Sequence, residues 1–560
     1  MRLLDAGRWE AAAQLCRGVL ATDPRHSQAL HMLGRILVDH QDQAEAGLQL
    51  IEQALAIDPG HPAMHDARGQ ALLRLARPVE AVPAFERALS LQPEDIRLRH
   101  HLGLALRDAG RPQQAEIVVR ETLARQPQAP GLLNNLGVLL MRRGDLAQAQ
   151  RVLEQAQAVA PDYAEPYANL ALLYEQQNRL EDAVRITRQG LQRWPEHIAL
   201  RFAEARCQRR RGEYQDARES LLALRQGSMT AKLESDIEYE LGQCADALGD
   251  TAAAFRHFTL ANRKVRESWS LPVAASHAYA ELLNTLDARF TREWVTHWSD
   301  VPVADAQQDP VFIVGFPRSG TTLLDTMLAA HPQLALLEEP PTVQAVLERL
   351  HTWPGGYPDA LATLMPAQHA ALRAAYFDSA HALSDASGRR RILDKSPFNT
   401  AHVGLIQRLF PAAHILFAVR HPCDVVLSCF MSNFEPNSGT LHFTALDTGV
   451  RLYCRVMSLW LAYVEILPLR YCPVRYEQLV DTPAAELRRV LDFLGLPWSD
   501  SVLDHVTAAG KRSRIPTASY AQVGRPLYRE ARYRWLRYAE HLQPFLTQLR
   551  PFIKAFGYDD

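Results

Sequence analysis

The run Gly315-Phe316-Pro317-Arg318-Ser319-Gly320-Thr321-Thr322 has the residue types to hold an anion. Gly315 and Gly320 permit close backbone approach, Arg318 supplies a cation, and Thr321 and Thr322 supply hydroxyls. The glycine spacing is that of a Walker A loop, yet Thr321 stands where its lysine belongs. A nucleoside triphosphatase needs that lysine on the β and γ phosphates and a Mg²⁺ beside the following hydroxyl. A guanidinium with neutral donors suits a phosphosulfate better than a metal-bound triphosphate. The sequence also offers no convincing Mg²⁺ carboxylate after a strand, which disfavours a kinase or NTPase.

Such a loop binds its ligand at the junction of a strand and a helix, where backbone N–H groups and the positive end of the helix dipole converge. Val311-Phe312-Ile313-Val314 reads as the strand, and Leu323, Leu324, Met327 and Leu328 mark the apolar face of the helix. The whole chain has 560 residues, enough for about two to four cores. Lys plus Arg number 61 against 63 Asp plus Glu, a formal charge of −2, and 47% of residues are hydrophobic. That balance describes a globular protein and excludes a disordered polyelectrolyte or a globally basic nucleic-acid binder. The seven cysteines, Cys16, Cys207, Cys244, Cys423, Cys429, Cys454 and Cys472, form no C-x-x-C pair. This argues against a disulfide framework or zinc ribbon and for a reducing compartment. No stretch reaches the roughly 18 to 20 apolar residues of a membrane span. The start, MRLLDAGRWEAAAQ, carries Asp5, Arg8 and Glu10 where a secretory signal is apolar. The expected location is the cytoplasm.

The first half repeats. Pro24, Pro59, Pro93, Pro127, Pro161 and Pro195 are spaced by 35, 34, 34, 34 and 34 residues. Small residues keep the same beat at Gly34, Gly69, Gly103, Gly137, Ala171 and Ala205, and alanines at Ala12, Ala46, Ala81, Ala115, Ala149, Ala183 and Ala217. Each unit reads as two amphipathic helices, packed closely through the small residues, with the proline opening the next unit's turn.

The period, with AVPAF at Ala81–Phe85 and YANLALLY at Tyr167–Tyr174, resembles the tetratricopeptide repeat. The resemblance implies a superhelix whose groove binds a protein or peptide, that ligand being either the acceptor or a partner. The competing reading is a solenoid that supports or dimerises the second half, making a homo-oligomer. From Val311 onward, PRSGTTLLDTMLAAHP resembles the 5′-phosphosulfate loop of the sulfotransferase superfamily, nearest its tyrosylprotein sulfotransferase branch. HILFAVR with HPCDVVLS, LDKSPFN, RYEQLV with FLGLPW, and SYAQVGRP extend the likeness in order along the chain. The expected fold is therefore a tetratricopeptide α-solenoid followed by a P-loop-like α/β sulfotransferase domain with a central parallel sheet. Residues 1–266 form about seven repeat units, the first one partial. Residues 267–309 are a helical connector and linker, and residues 310–560 the sulfotransferase domain.

The resemblance implies 3′-phosphoadenylyl sulfate (PAPS) as co-substrate, the bisphosphate PAP as product, and no metal. It assigns Arg318, Ser319, Gly320, Thr321 and Thr322 to the 5′ end of the nucleotide, and Arg420 and Ser428 to the 3′-phosphate. Tyr476, Ser519 and Arg525 fall to the rest of the nucleotide pocket. The basic run Lys511, Arg512 and Arg514 is either a solvated loop or a further phosphate contact. Glu339 takes the place of the general base, with Glu338 as its neighbour in reserve, and Lys395 that of the lysine that neutralises the sulfate and bridging oxygen. Arg318 joins them as a catalytic cation. Other sulfotransferases use histidine as base, and His351, His402, His414 and His421 are available by sequence, His414 reading as structural.

Two positions depart from the relatives. Pro341 replaces an arginine that reads acidic acceptor peptides, which puts tyrosine in such a peptide in doubt, and Ser432 replaces an arginine beyond the 3′-phosphate serine. The expected protein is a PAPS-dependent sulfotransferase acting on a hydroxyl of a protein, peptide or other large acceptor recruited by the repeats. The alternative is a repeat-based scaffold with a nucleotide-binding but inactive domain, against which the intact Arg318, Glu339, Lys395, Arg420 and Ser428 argue. Alanine, arginine and leucine richness together with the direct fusion look bacterial.

Overall fold

The computed structural model of the protein describes residues 8–40, 43–75, 77–225, 229–268, 273–299, 307–383, 390–504, 506–507, 527 and 529–559. Packing divides the chain into two compact units, one ending at Cys207 and the other beginning at Gln208 and taking in Gln176–Asn178 as well. The division falls within the helix Ile198–Arg210. Among the described residues no helix is long and apolar enough to cross a membrane.

In the first unit helices pair in sequence, among them Pro62–Arg74 with Pro78–Leu91 and Pro130–Arg143 with Leu146–Val159. The repeated prolines lie in the turns or bends between pairs. The small residues do what their spacing predicts: Ala81, Ala115, Ala149 and Ala183 are fully buried. A Cβ on Gly69 would lie 2.5 Å from the Phe85 ring, closer than packed atoms come. One tooth of the alanine comb is displaced. Ala46 is exposed and Gly47 takes the buried contact, because the first repeat interval is one residue longer than the rest.

Among the described residues the second unit is built on five parallel strands in the order β2-β3-β1-β4-β5. They are β1 (Val311–Gly315), β2 (Leu334–Glu338), β3 (Arg391–Lys395), β4 (His414–Val419) and β5 (Arg470–Arg475). The apolar run of β1 is buried throughout, as a central parallel strand requires. Its alternate side chains serve two layers, Phe312 and Val314 on one side and Val311 and Ile313 on the other. Because β1 has β3 on one flank and β4 on the other, connections leave it in both directions. The crevice at its carboxyl end is where open α/β sheets bind ligands.

Periodicity and packing divide the chain differently. The sequence carries the repeat beat to about residue 266, but the pair α1 (Ala231–Ala247) and α2 (Thr251–Glu267) shares an apolar core with the sheet. Tyr239, Phe258, Ala261 and Val265 are buried in the same layer as Phe312 and Phe417. The connector is also part of that core. Leu283, Leu286 and Phe290 enter it, and Phe290 meets the Tyr463 ring edge-on at 5.0 Å. Apolar side chains at these positions bury more surface against the sheet layer than a free linker could.

Candidate functional site

The described residues assigned to the nucleotide and to transfer, from Arg318 to Tyr476, lie at or just beyond the carboxyl edge of the sheet, whereas two of the histidine candidates, His351 and His414, do not. After β1 the chain turns through Phe316–Gly320 into α3 (Thr321–Ala329). Gly320 caps that helix at φ 98°, and a Cβ there would come within 2.8 Å of Tyr476, so only glycine fits. Arg318 holds φ 71° although it is not glycine, a conformation that over-determined functional loops retain. The loop is clamped from below: the Gly315 N–H donates to Thr400 Oγ1 at 2.7 Å, and that hydroxyl donates to the Gly315 carbonyl at 2.6 Å. Cys429 Sγ donates to the Pro317 carbonyl at 3.3 Å. Ser319, Thr321 and Thr322 are buried at the mouth of α3.

The second group comes from the end of β4 and the following helix α5 (Pro422–Phe430). Arg318 Nε donates to Ser428 Oγ at 3.1 Å, and Arg420 donates to the Arg318 carbonyl at 3.2 Å. The two expected phosphate sites are thus joined. The Arg420 guanidinium lies over the Tyr476 ring, 4.9 Å from its centre, so Tyr476 touches both halves. Ser432, at one of the two departures, donates its hydroxyl to the Ser428 carbonyl at 2.7 Å and helps end the helix. Ser519 and Arg525, with Lys511, Arg512 and Arg514, lie outside the described residues.

The third group surrounds Lys395 at the end of β3. Its ammonium is fully buried and donates to Glu339 Oε1 at 3.0 Å and to Glu338 Oε1 at 3.4 Å, with Asp325 Oδ2 also at 3.4 Å. Burial pulls the lysine pKa down, but the charges of Asp325, Glu339 and Glu338 more than offset it and leave the value above that of an ordinary lysine. The three carboxylates differ in access. Asp325 is 0% exposed, Glu338 10% and Glu339 41%. Glu339 sits at φ 46°, a bend that takes it off the end of β2 while its N–H still donates to the Lys395 carbonyl at 2.7 Å. Pro341, at the other departure, is exposed and precedes α4 (Thr342–His351).

Sequence reasoning missed Asp325 and Asp394, and the signal for both was an acid inside an apolar run. Asp394 faces the opposite side of β3 from Lys395. It accepts from Thr342 Oγ1 at 2.6 Å and Tyr376 OH at 2.8 Å, anchoring the segment just after Glu339. Burial raises its pKa to about 6 despite those donors. The histidines hold other posts. His402 is buried with its pKa pushed down to about 4, and burial followed by the Arg420 charge lowers His421 to about 4 beneath Trp535. His414 starts β4 at the far edge of the sheet, against Arg391, and His351 Nδ1 bonds the Leu347 carbonyl.

Glycine loop, guanidinium pair and buried lysine–carboxylate group together gather Arg318, Arg420 and Lys395 with Asp325, Glu338 and Glu339 at the carboxyl edge of a parallel sheet. Residues 310–500 match the sulfotransferase family model, and residues 3–71, 67–130, 129–196 and 170–232 match tetratricopeptide repeat models. The chain carries tetratricopeptide repeats followed by a sulfotransferase family domain. It is 31% identical over 263 residues to a protein of Aquifex aeolicus, covering 44% of this chain and 33% of that one. Protein-tyrosine sulfotransferase A of Caenorhabditis elegans and protein-tyrosine sulfotransferase 2 of Gallus gallus are each 28% identical over 268 residues. These matches cover 44% of this chain and 67% and 69% of theirs. The match thus spans a third of the Aquifex relative's length. Among solved structures, the pilus biogenesis factor PilW overlaps 36% of this chain and 92% of its own, at 22% identity and TM-score 0.33.

Proposed function

We infer that the protein is a PAPS-dependent sulfotransferase that modifies a hydroxyl on a protein, peptide or other large acceptor. The observation that carries this reading is the Lys395–Glu339 pair beside a phosphate loop whose cation is an arginine. The residues fit a phosphorylated nucleotide. Ser319 Oγ and Arg420 Nε are buried without a hydrogen-bond partner among the described residues, a cost that a bound phosphate would remove. Arg318, Ser319, Thr321 and Thr322 would hold the 5′ end, and Arg420 with Ser428 the 3′-phosphate, with Tyr476 beneath them. PAPS supplies the sulfuryl group together with a phosphate leaving group.

The chain's own part is to place charge and accept a proton. Glu339 is the exposed carboxylate of the three, so it is the one that an acceptor hydroxyl can reach and hand its proton to. Lys395 stays cationic because Asp325 remains beside it on the buried side, and it is available to neutralise charge that develops during transfer. The tetratricopeptide repeats support recruitment of a large acceptor or partner. Pro341 stands where the resembling branch carries the arginine that reads acidic peptides, which argues against tyrosine in such a peptide as the acceptor. Calorimetry with adenosine 3′,5′-bisphosphate in EDTA tests the reading. Binding without divalent metal is the expected result, and Mg²⁺-dependent ATP binding with no response to the bisphosphate would replace it with a kinase.

A further inference from the structure

Helix α5, which carries Ser428, ends at Phe430, and the last carbonyls of a helix have no partner within it. Two of these are met from the end of the repeat region. Asn262 Nδ2, on α2, donates to the Phe430 carbonyl at 2.9 Å, and Gln243 Nε2, on α1, donates to the Met431 carbonyl at 3.1 Å. Asn262 is 1% exposed, and its own carbonyl accepts from Tyr239 OH, so both ends of the amide are used. Phe255 stacks on Phe430 with ring centres 5.1 Å apart.

The same helical pair reaches Arg420 by a second route. Asp246, at the end of α1, accepts from Tyr538 OH at 2.6 Å and pairs with Arg534 at 2.7 Å and Arg537 at 3.3 Å. That fixes the segment whose Ala531 carbonyl accepts from Arg420. Its Trp535 N–H donates to Asp424 Oδ1 at 2.8 Å, one helical turn beyond Arg420.

We propose that α1 and α2 are a positioning element of the 3′-phosphate half of the nucleotide site, with Asn262 and Gln243 setting Ser428 and Asp246 setting Arg420. This rests on the reading of Arg420 and Ser428 as the 3′-phosphate site. The Gly315 end of the phosphate loop has its own clamp, Thr400 just beyond β3, whereas Cys429 ties Pro317 to α5 itself. Disturbing α1 and α2 therefore acts first on Ser428 and Arg420, and weakens the 3′ end of the nucleotide more than the 5′ end.

The test uses the full chain and two nucleotides, adenosine 3′,5′-bisphosphate and adenosine 5′-monophosphate, which lacks the 3′ group. Gln243 and Asp246 are half-buried, so Gln243→Met and Asp246→Ala leave the core in place. Each variant should weaken the bisphosphate roughly 3- to 30-fold while the monophosphate changes by less than about twofold. Asp246→Asn, which keeps an acceptor for Tyr538, should recover part of the loss. Equal loss for both nucleotides, or unchanged bisphosphate affinity, overturns the proposal. A wild-type protein that binds neither nucleotide, or both equally, overturns instead the nucleotide reading beneath it.

Discussion

Glu339 and Lys395 are bonded twice. The Glu339 N–H donates to the Lys395 carbonyl at 2.7 Å and the Lys395 ammonium donates to Glu339 Oε1 at 3.0 Å. The first bond extends the β2–β3 ladder one residue past Glu338, so a carboxylate beyond the strand keeps sheet-like placement. The second aims it. Carboxylate and cation are thereby held in one geometry, which on the proposed reading of Glu339 as the base is the condition for preorganised catalysis.

Glu339→Gln should keep the affinity for adenosine 3′,5′-bisphosphate and lose about 10² to 10⁴ in turnover, since it removes the proton acceptor and leaves the expected nucleotide contacts in place. Glu338→Gln, whose carboxylate is more enclosed, should lose far less. Steady-state rates with a sulfuryl donor and a phenolic acceptor, beside calorimetry, check both. Normal turnover in Glu339→Gln with a collapse in Glu338→Gln would move the base to Glu338.

Lys395→Met leaves Asp325 buried without its counter-charge and should destabilise the domain by about 3 to 5 kcal/mol, as breaking a buried pair does. Adding Asp325→Leu should return much of that. The lysine pKa is raised on folding, so its contribution is present in full below the ordinary value of 10.5 and fades only as pH climbs through the raised one. Denaturant unfolding of wild type and variant should therefore differ by a constant amount through neutral pH and converge only in strong alkali.

Asp394 behaves in the opposite sense to a salt-bridged acid. Its folded pKa of about 6 lies above the reference of 3.8, so the folded state binds the extra proton and stability from this group falls as pH rises between those values. Asp394→Asn should remove that slope. Relative to wild type, the variant should gain about 2 to 3 kcal/mol between pH 4 and pH 7, measured by unfolding at each pH. A difference that does not vary with pH would mean that Asp394 is ionised throughout.

The phosphate loop was legible because it is local: one strand, two glycines and an arginine are contiguous, and the glycines' spacing states their use. The repeats were legible because a buried small residue recurs at a nearly fixed interval, and the one misplaced alanine, Ala46, came from putting the longer step after that position, where the prolines put it before. What the sequence hid was long-range. Nothing in LLDTML says that Asp325 faces Lys395, because that pairing depends on β3 lying beside β1. Likewise Asn262 and Gln243 look like ordinary repeat residues until the helix end they cap is brought against them.

The same hidden packing decides how the two halves can be separated. A cut near residue 290 follows the end of the periodicity but removes α1, α2, Leu283 and Leu286 from the core they share with the sheet. That fragment should be insoluble or unfolded. A fragment starting at Gln208 keeps the compact unit except for Gln176–Asn178 and should bind adenosine 3′,5′-bisphosphate within about twofold of the full chain, the margin expected where no contact to the ligand is lost. If the repeats before it recruit the acceptor, they raise its effective concentration without entering the chemistry. The fragment should then match the full chain in kcat/KM on a small phenol and fall behind, through KM, on a protein acceptor. Equal kcat/KM on both acceptors would remove recruitment from the function of the repeats and leave them a supporting or dimerising role.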